Sequence, residues 1–168
     1  MYSFLGQYAP LLLCFINAYL LLFHKTQHYL FYFLLFLLLS LLFNYGIKPV
    51  FGEPRPFLSK EKFHALVRQG IRFHNGIDIY GMPSRHAQVA IFNTVFNGLV
   101  FQNPHWGVVF IILSLITMWE RVADEYHTLF QVVVGGGFGL GFAFMAYYFS
   151  RKKLQGGIQE KPDDRYFG

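Results

Sequence analysis

Long apolar runs separated by short polar boundaries organise this chain. The first run covers about Phe4 to Phe23 and the second about Tyr29 to Ile47. Both approach the roughly 20 residues that a helix needs to cross a bilayer. The first has no basic leader and no small-x-small cleavage site, so it reads as a retained span rather than a signal peptide. A polar tract follows from Lys48 to Pro83, and then come three more runs, at about Ser84–Phe101, Trp106–Val122 and His127–Phe149. The fourth run is the weakest, since its uncharged stretch is short and ends at Glu120-Arg121, and Gln102-Asn103-Pro104 makes the turn before it. The pattern predicts an all-α fold, a polytopic transmembrane helix bundle of about five spans with a polar active-site loop (about 48–83) between spans 2 and 3. Residues 1–150 form the membrane domain in this reading, and 151–168 a polar, disordered tail.

Alternation of five spans sorts the loops into two groups. The Lys48–Pro83 tract and the Glu120–Tyr126 segment share one membrane face; His24-Lys25, the Gln102 turn and the Arg151 tail share the other. Within the long tract, Ser59 to Gln69 predicts a short amphipathic helix. Ser59 is its N-cap, Glu61 suits the first turn, Arg68 the last, and Gly70 ends it. Phe63, Leu66 and Val67 fall on one face, to rest on lipid or on protein.

Composition agrees with a membrane solvent. Of 168 residues, 54% are hydrophobic, 20% aromatic and only 14% charged, against about 25% charged in a typical soluble domain. The net charge of +5 suits an anionic partner. Its basic residues lie between apolar spans and not along one open face, which argues against nucleic acid. A single cysteine, Cys14, excludes an internal disulfide and a cysteine-based zinc cluster.

The chemistry-bearing residues cluster at boundaries between water and membrane. Lys48 and Arg55 flank Pro49 and Pro54 and are followed by Pro56; the prolines oppose a regular helix, so both cations are expected on a stiff loop. There Lys offers a point charge and Arg a fork for two phosphate oxygens. Pro83-Ser84-Arg85-His86 begins the third span, placing Ser84, Arg85 and His86 at a helix N-terminus, where free N–H groups and the helix dipole favour an anion. A histidine there can protonate a leaving oxygen. Arg121 ends the fourth span and His127 begins the fifth, with Gln131 four residues further along. On a helix His127 and Gln131 share a face, and an amide oxygen on one ring nitrogen frees the other as nucleophile or base. Each cluster alone also admits a plain reading: boundary cations, a capped helix, a structural hydrogen bond.

Taken together, the three clusters resemble the type 2 phosphatidic acid phosphatase family of membrane lipid phosphatases. That family shows Lys, six residues and Arg-Pro; then Pro-Ser-Gly-His; then Ser-Arg, five residues, His, three residues and Asp. Lys48 and Arg55-Pro56 complete the first element. Pro83-Ser84-Arg85-His86 carries Arg for Gly in the second; Glu120-Arg121, His127 and Gln131 carry Glu for Ser and Gln for Asp in the third. Tyr80-Gly-Met-Pro-Ser-x-His-x-Gln88 and His127-Thr-x-x-Gln131 look like the dolichyl diphosphatase branch.

The resemblance implies a metal-independent phosphatase with no cofactor. Its substrate would be a polyprenyl diphosphate, with phosphatidate or another lipid phosphate as the alternative and a catalytically silent scaffold as the reading from another class. By the same resemblance His127 attacks phosphorus to give a phosphohistidine, His86 protonates the leaving group, and Gln131 orients His127. Lys48, Arg55 and Arg121 hold phosphate, helped by Ser84 and the backbone N–H of Arg85; the Arg85 side chain departs from the family pattern and offers either a fork for a second phosphate or a contact with lipid headgroups. It further implies the endoplasmic reticulum, with the site facing the lumen. Arg151-Lys152-Lys153 agrees by putting the tail in the cytoplasm, while Lys60, Lys62, Arg68 and Arg72 add opposing charge to the active face. The glycines from Gly135 to Gly141 suit close helix packing or a slot for a polyprenyl chain.

Overall fold

The computed structural model describes residues 4–154. The described residues form six helices, α1 (Phe4–His24), α2 (Gln27–Phe51), α3 (Lys60–Arg68), α4 (Arg85–Phe101), α5 (Pro104–Ala123) and α6 (Leu129–Leu154), with strands β1 (Phe73–His74) and β2 (Ile77–Asp78) between α3 and α4; all the helices but α3 make the bundle. Four helices are long and apolar enough to cross a membrane: Gly6–His24, Gln27–Phe51, Pro104–Ala123 and Leu129–Lys152. The remaining expected span is α4, shorter at 17 residues. It packs against α1, α2, α5 and α6, so its polar residues face other helices and not lipid, which is why it can carry Gln88, Asn93 and Asn97 fully buried.

Outward-facing side chains on α1, α2, α5 and α6 are large and apolar, among them Phe15, Leu38, Leu115 and Phe144. The interior is aromatic at one level, where Phe33 meets Phe92 and Phe96 at 5.6 and 5.4 Å between ring centroids. At Gly135 and Gly139 of α6 a Cβ would run into the α4 backbone, 3.0 Å from Ser84 N and 3.0 Å from Phe92 N respectively. Small residues one turn apart therefore let α4 and α6 touch backbone to backbone. Gly137 and Gly141 face open space, so packing accounts for only part of the glycine run.

Three boundary expectations change. Helix α2 does not stop at Pro49 but runs on to Phe51 and is capped by left-handed Gly52, φ 59°, so Lys48 lies in its last turn and not on a loop. Pro49 lacks the N–H that would bond the Tyr45 carbonyl; Arg72 Nη2 takes that carbonyl instead, at 2.7 Å. Helix α5 begins with Pro104 behind Asn103, whose side chain accepts from His105 N at 2.9 Å and Trp106 N at 3.2 Å, and it carries Glu120 and Arg121 within it. Helix α6 continues through Arg151 to Leu154, into the expected polar tail; the rest of that tail lies outside the described residues.

Helix α3 forms as expected, with Ser59 Oγ accepting from Lys62 N at 3.3 Å. Its Phe63 and Leu66 are buried against Leu58, Ile79 and Tyr80, while Val67 is exposed. The helix thus rests on protein and props up the loop between α2 and α4. A two-residue turn, Asn75-Gly76, joins β1 to β2, with both residues at positive φ (50° and 76°), the conformation that tight hairpins require.

Candidate active site

The loops on one face close around a cavity of about 490 Å³. Lys48 enters from the end of α2, Arg55 from the following loop, Arg85 and His86 from the first turn of α4, Arg121 from the end of α5, and Tyr126 and His127 from the α5–α6 turn. Hairpin residues Phe73, Gly76, Ile77 and Asp78 line one side, and Gln7, Leu41, Asn44 and Tyr45 of α1 and α2 complete the lining. Two expected members stand apart. Ser84 and Gln131 are fully buried and neither lines this cavity. Ser84 sits at the N-cap of α4 without a capping bond from its side chain. Its N–H donates to the Gln131 carbonyl at 3.0 Å, and its Oγ is buried without a partner.

His127 is held by its backbone as much as by side chains. Its N–H donates to the Arg121 carbonyl at 2.9 Å. Ring atom Nδ1 lies 2.7 Å from the Gly81 carbonyl oxygen and 3.3 Å from Gln131 Oε1. Two acceptors on Nδ1 require the proton to be there, leaving the Nε2 lone pair free. Nε2 in turn accepts from Arg55 Nη1 at 3.2 Å, so a guanidinium covers this ring nitrogen's lone pair. Burial first, then the Arg55 and Lys48 cations, hold the His127 imidazole far below its ordinary range, at about 2. The ring is therefore neutral at any physiological pH, the state in which it can attack.

Gln131 reaches His127 by a different route from a shared helix face. His127 precedes α6, and Thr128 caps it: Gln131 N donates to Thr128 Oγ1 and Thr128 N donates to Gln131 Oε1, both at 3.2 Å. This reciprocal pair is a capping box. Gln131 Nε2 donates to the Pro54 carbonyl at 3.0 Å. Since Thr128 N–H can only donate and Pro54 O only accept, the amide's orientation follows from its partners. One glutamine thus ties the start of α6, the Arg55 loop and the His127 ring together.

Arg55 is the most constrained cation. Its Nε donates to the Asp78 carbonyl at 2.6 Å and its Nη1 to the Tyr126 carbonyl at 3.1 Å. Burial lowers its pKa to about 10, against the opposing pull of Asp78 and with Arg85 and Arg121 adding repulsion. It remains charged at neutral pH. Lys48 Nζ donates to the Tyr80 carbonyl at 2.8 Å and lies 3.5 Å from Asp78 Oδ2. Arg121 is buried, stacks over the Tyr126 ring at 4.8 Å, and has an Nε without a hydrogen-bond partner. Four cations face one carboxylate, that of Asp78, around the cavity. Such a surplus of buried donors is costly unless an anion completes it.

Sequence reasoning missed Asp78, Gly81 and Tyr126. The Asn75-Gly76 pair was an available hairpin signal that would have carried Asp78 towards the site. Nothing local marks Gly81, whose role depends on a cross-chain contact. A Cβ there would sit 2.7 Å from both the Pro54 carbonyl oxygen and Gln131 Oε1, so only glycine fits between these chains.

The PAP2 superfamily pattern matches residues 29–155. The chain belongs to the PAP2 superfamily. The matched stretch runs from α2 to the end of α6 and includes every residue of the cavity except Gln7. The chain is also similar to Dolichyldiphosphatase of Saccharomyces cerevisiae, with 30% identity over 123 residues that cover 67% of this chain and 47% of the yeast protein. It therefore spans about half the length of that curated relative. No solved structure matches the chain. Within this PAP2 chain the apolar helices make an integral membrane protein, and the cationic cavity opens at one end of the bundle.

Proposed function

We propose that this protein removes the terminal phosphate from a polyprenyl (dolichyl) diphosphate, leaving the monophosphate, through a phosphohistidine on His127. The supporting observation is the state of the His127 ring. Its Nδ1 is committed to the Gly81 carbonyl at 2.7 Å, while Nε2 meets Arg55 Nη1 at 3.2 Å in a cavity that Lys48 and Arg121 also line. In the first step Nε2 bonds to the terminal phosphorus and the bridging P–O bond breaks. The departing oxygen takes a proton from His86, a half-buried residue on the cavity wall, which takes that proton up as the incoming phosphate anion offsets the surrounding cations. Water then attacks the phosphohistidine, releasing inorganic phosphate and restoring Nε2. Dividing the displacement in two lowers each barrier, and preorganised cations stabilise the charge that builds on the equatorial oxygens, a role that needs no metal.

Arg85 stands at the mouth of the cavity and is exposed, where it suits the inner phosphate of a diphosphate. The similarity to the yeast protein supports this substrate class, and with it an endoplasmic reticulum location with the site facing the lumen. The test is phosphate release by the purified protein in detergent with EDTA, from farnesyl diphosphate and from phosphatidate. Faster release from the diphosphate is expected, with competitive inhibition by vanadate. Preference for phosphatidate would transfer the proposal to a monophosphate lipid. Release from neither would overturn it, and dependence on added magnesium would overturn the metal-free route.

A further inference from the structure

Asp78 is the one carboxylate among the described residues that line the cavity, and the mechanism above gives it no task. Its position is unusual for a bystander. Oδ2 lies 3.5 Å from Lys48 Nζ and 3.4 Å from Arg72 Nη2. Oδ1 accepts from Tyr80 N at 3.1 Å, which folds the chain back so that the Tyr80 carbonyl meets Lys48 Nζ at 2.8 Å. The Asp78 carbonyl accepts from Arg55 Nε at 2.6 Å. A single residue of a two-residue strand therefore holds both cations of the Lys48–Arg55 element, one by its side chain and the other by its backbone.

We propose that Asp78 is a positioning residue, which aims Lys48 at the substrate phosphate and offsets the surplus of cations around it. This inference rests on the phosphatase reading of the same cavity. Lys48 is buried, and a buried ammonium without a counter-ion is strongly destabilising. Around it stand Arg72 before the hairpin, Arg55 on the loop, Arg85 and His86 on α4, Arg121 on α5, Tyr126 and His127 on the α5–α6 turn, and Tyr45 on its own helix. All the charged groups in that set are cationic, so among the described residues Asp78 alone opposes them. Arg72 completes the support from behind: its Cζ lies 3.4 Å from the Tyr45 ring centroid and its Nη2 closes the carbonyl that Pro49 leaves open. Substrate phosphate shares Lys48 with Asp78 on arrival, so the ammonium needs no reorientation.

The experiment is a double-mutant cycle on the full chain in detergent, with Asp78→Asn, Lys48→Gln and both together. Asparagine keeps the oxygen that accepts from Tyr80 N and leaves the backbone carbonyl for Arg55, removing only the charge. Asp78→Asn is expected to lower kcat/KM for farnesyl diphosphate by about tenfold or more. In the Lys48→Gln background the same change should cost less than about twofold, because its effect passes through Lys48. Asp78→Glu should recover a large part of the loss. Additive losses, a glutamate no better than asparagine, or a folded Asp78→Asn protein as active as the parent would overturn the proposal. Failure of the isosteric Asn variant to give a monodisperse protein would also overturn it, making Asp78 a fold-holding residue. Vanadate binding, read as thermal stabilisation, runs through the same cycle. If the parent binds vanadate but hydrolyses no lipid, the phosphatase reading fails and the cycle still decides the role of Asp78.

Discussion

Two buried polar regions of this protein are built on opposite terms. From the middle of the bundle up to Asn44 on the cavity lining, neutral amides satisfy one another. Asn17 Nδ2 donates to Asn93 Oδ1 at 2.9 Å, and Asn97 Nδ2 donates to Asn17 Oδ1 at 2.8 Å. Asn44 Nδ2 donates to Gln88 Oε1 at 2.7 Å, and Gln88 Nε2 to Ser40 Oγ at 2.7 Å. Of these groups only Asn97 Oδ1 has no partner. At the cavity end the groups are charged, mostly of one sign, and Arg121 Nε and Ser84 Oγ are left without partners. The amide layer is nearly self-satisfied and joins helices, whereas the cavity gathers cations with a single carboxylate among its described lining residues. Burial of polar groups in a membrane protein is thus informative chiefly through what remains unsatisfied.

The largest effect that tests this contrast is at the nucleophile. His127→Ala should abolish turnover, by several orders of magnitude, while the detergent-solubilised protein keeps its thermal midpoint. Activity within about tenfold of the parent would remove His127 from the chemistry. Arg55→Lys should be nearly as inactive as Arg55→Ala, because a lysine cannot bond the Asp78 and Tyr126 carbonyls and phosphate at once. A lysine variant with most of the activity would mean that only local charge matters.

The two regions separate directly in a paired experiment. Gln88→Leu should cost stability, on the order of 1–3 kcal/mol for the unsatisfied partners left on Ser40 and Asn44, with little change in KM. Arg121→Gln should do the reverse, losing kcat/KM by a hundredfold or so while the thermal midpoint stays level or rises. If Gln88→Leu were the more damaging to turnover, the division between structural amides and functional cations would fail.

Smaller effects are expected at Gln131, because Gly81 already supplies the shorter bond to His127 Nδ1. Gln131→Leu should lower kcat yet leave measurable activity, and Gly81→Ala should be worse, since its Cβ displaces the Pro54 and Gln131 oxygens together. Gln131→Asp puts a carboxylate near the ring, favours the imidazolium and should raise the His127 pKa, visible as an acid limb moved to higher pH. The equality of Gln131→Leu with the parent would reduce the glutamine to its capping role.

The smallest expected effect is on stability against pH. His127 is depressed from an ordinary 6.5 to about 2 in the folded protein. Between those values the unfolded chain binds a proton that the folded chain does not, so this residue's stabilising contribution is full above about 6.5 and is lost as pH falls. Thermal midpoints of the parent should decline over that window more steeply than those of His127→Asn. Parallel curves would show that the ring is less confined than its contacts imply.

Much of this architecture was legible in the residue order. Apolar runs near bilayer length marked the spans, because lipid demands continuous apolar helix surface and satisfied backbone. The Lys48–Arg55, Ser84–His86 and Arg121–Gln131 spacings marked the reactive face, since alternating spans bring every second loop to the same side. What the order could not carry was anything decided by contacts across the chain. Lys48 lies on a helix because Arg72 takes the carbonyl that Pro49 abandons. His127 is oriented first by the Gly81 carbonyl, and its tie to Gln131 runs through a helix cap. Asp78 meets Lys48 through a hairpin thirty residues downstream of it. Periodicity and spacing report how a segment meets its solvent, whereas a backbone carbonyl aimed at a ring nitrogen exists only once distant segments have packed.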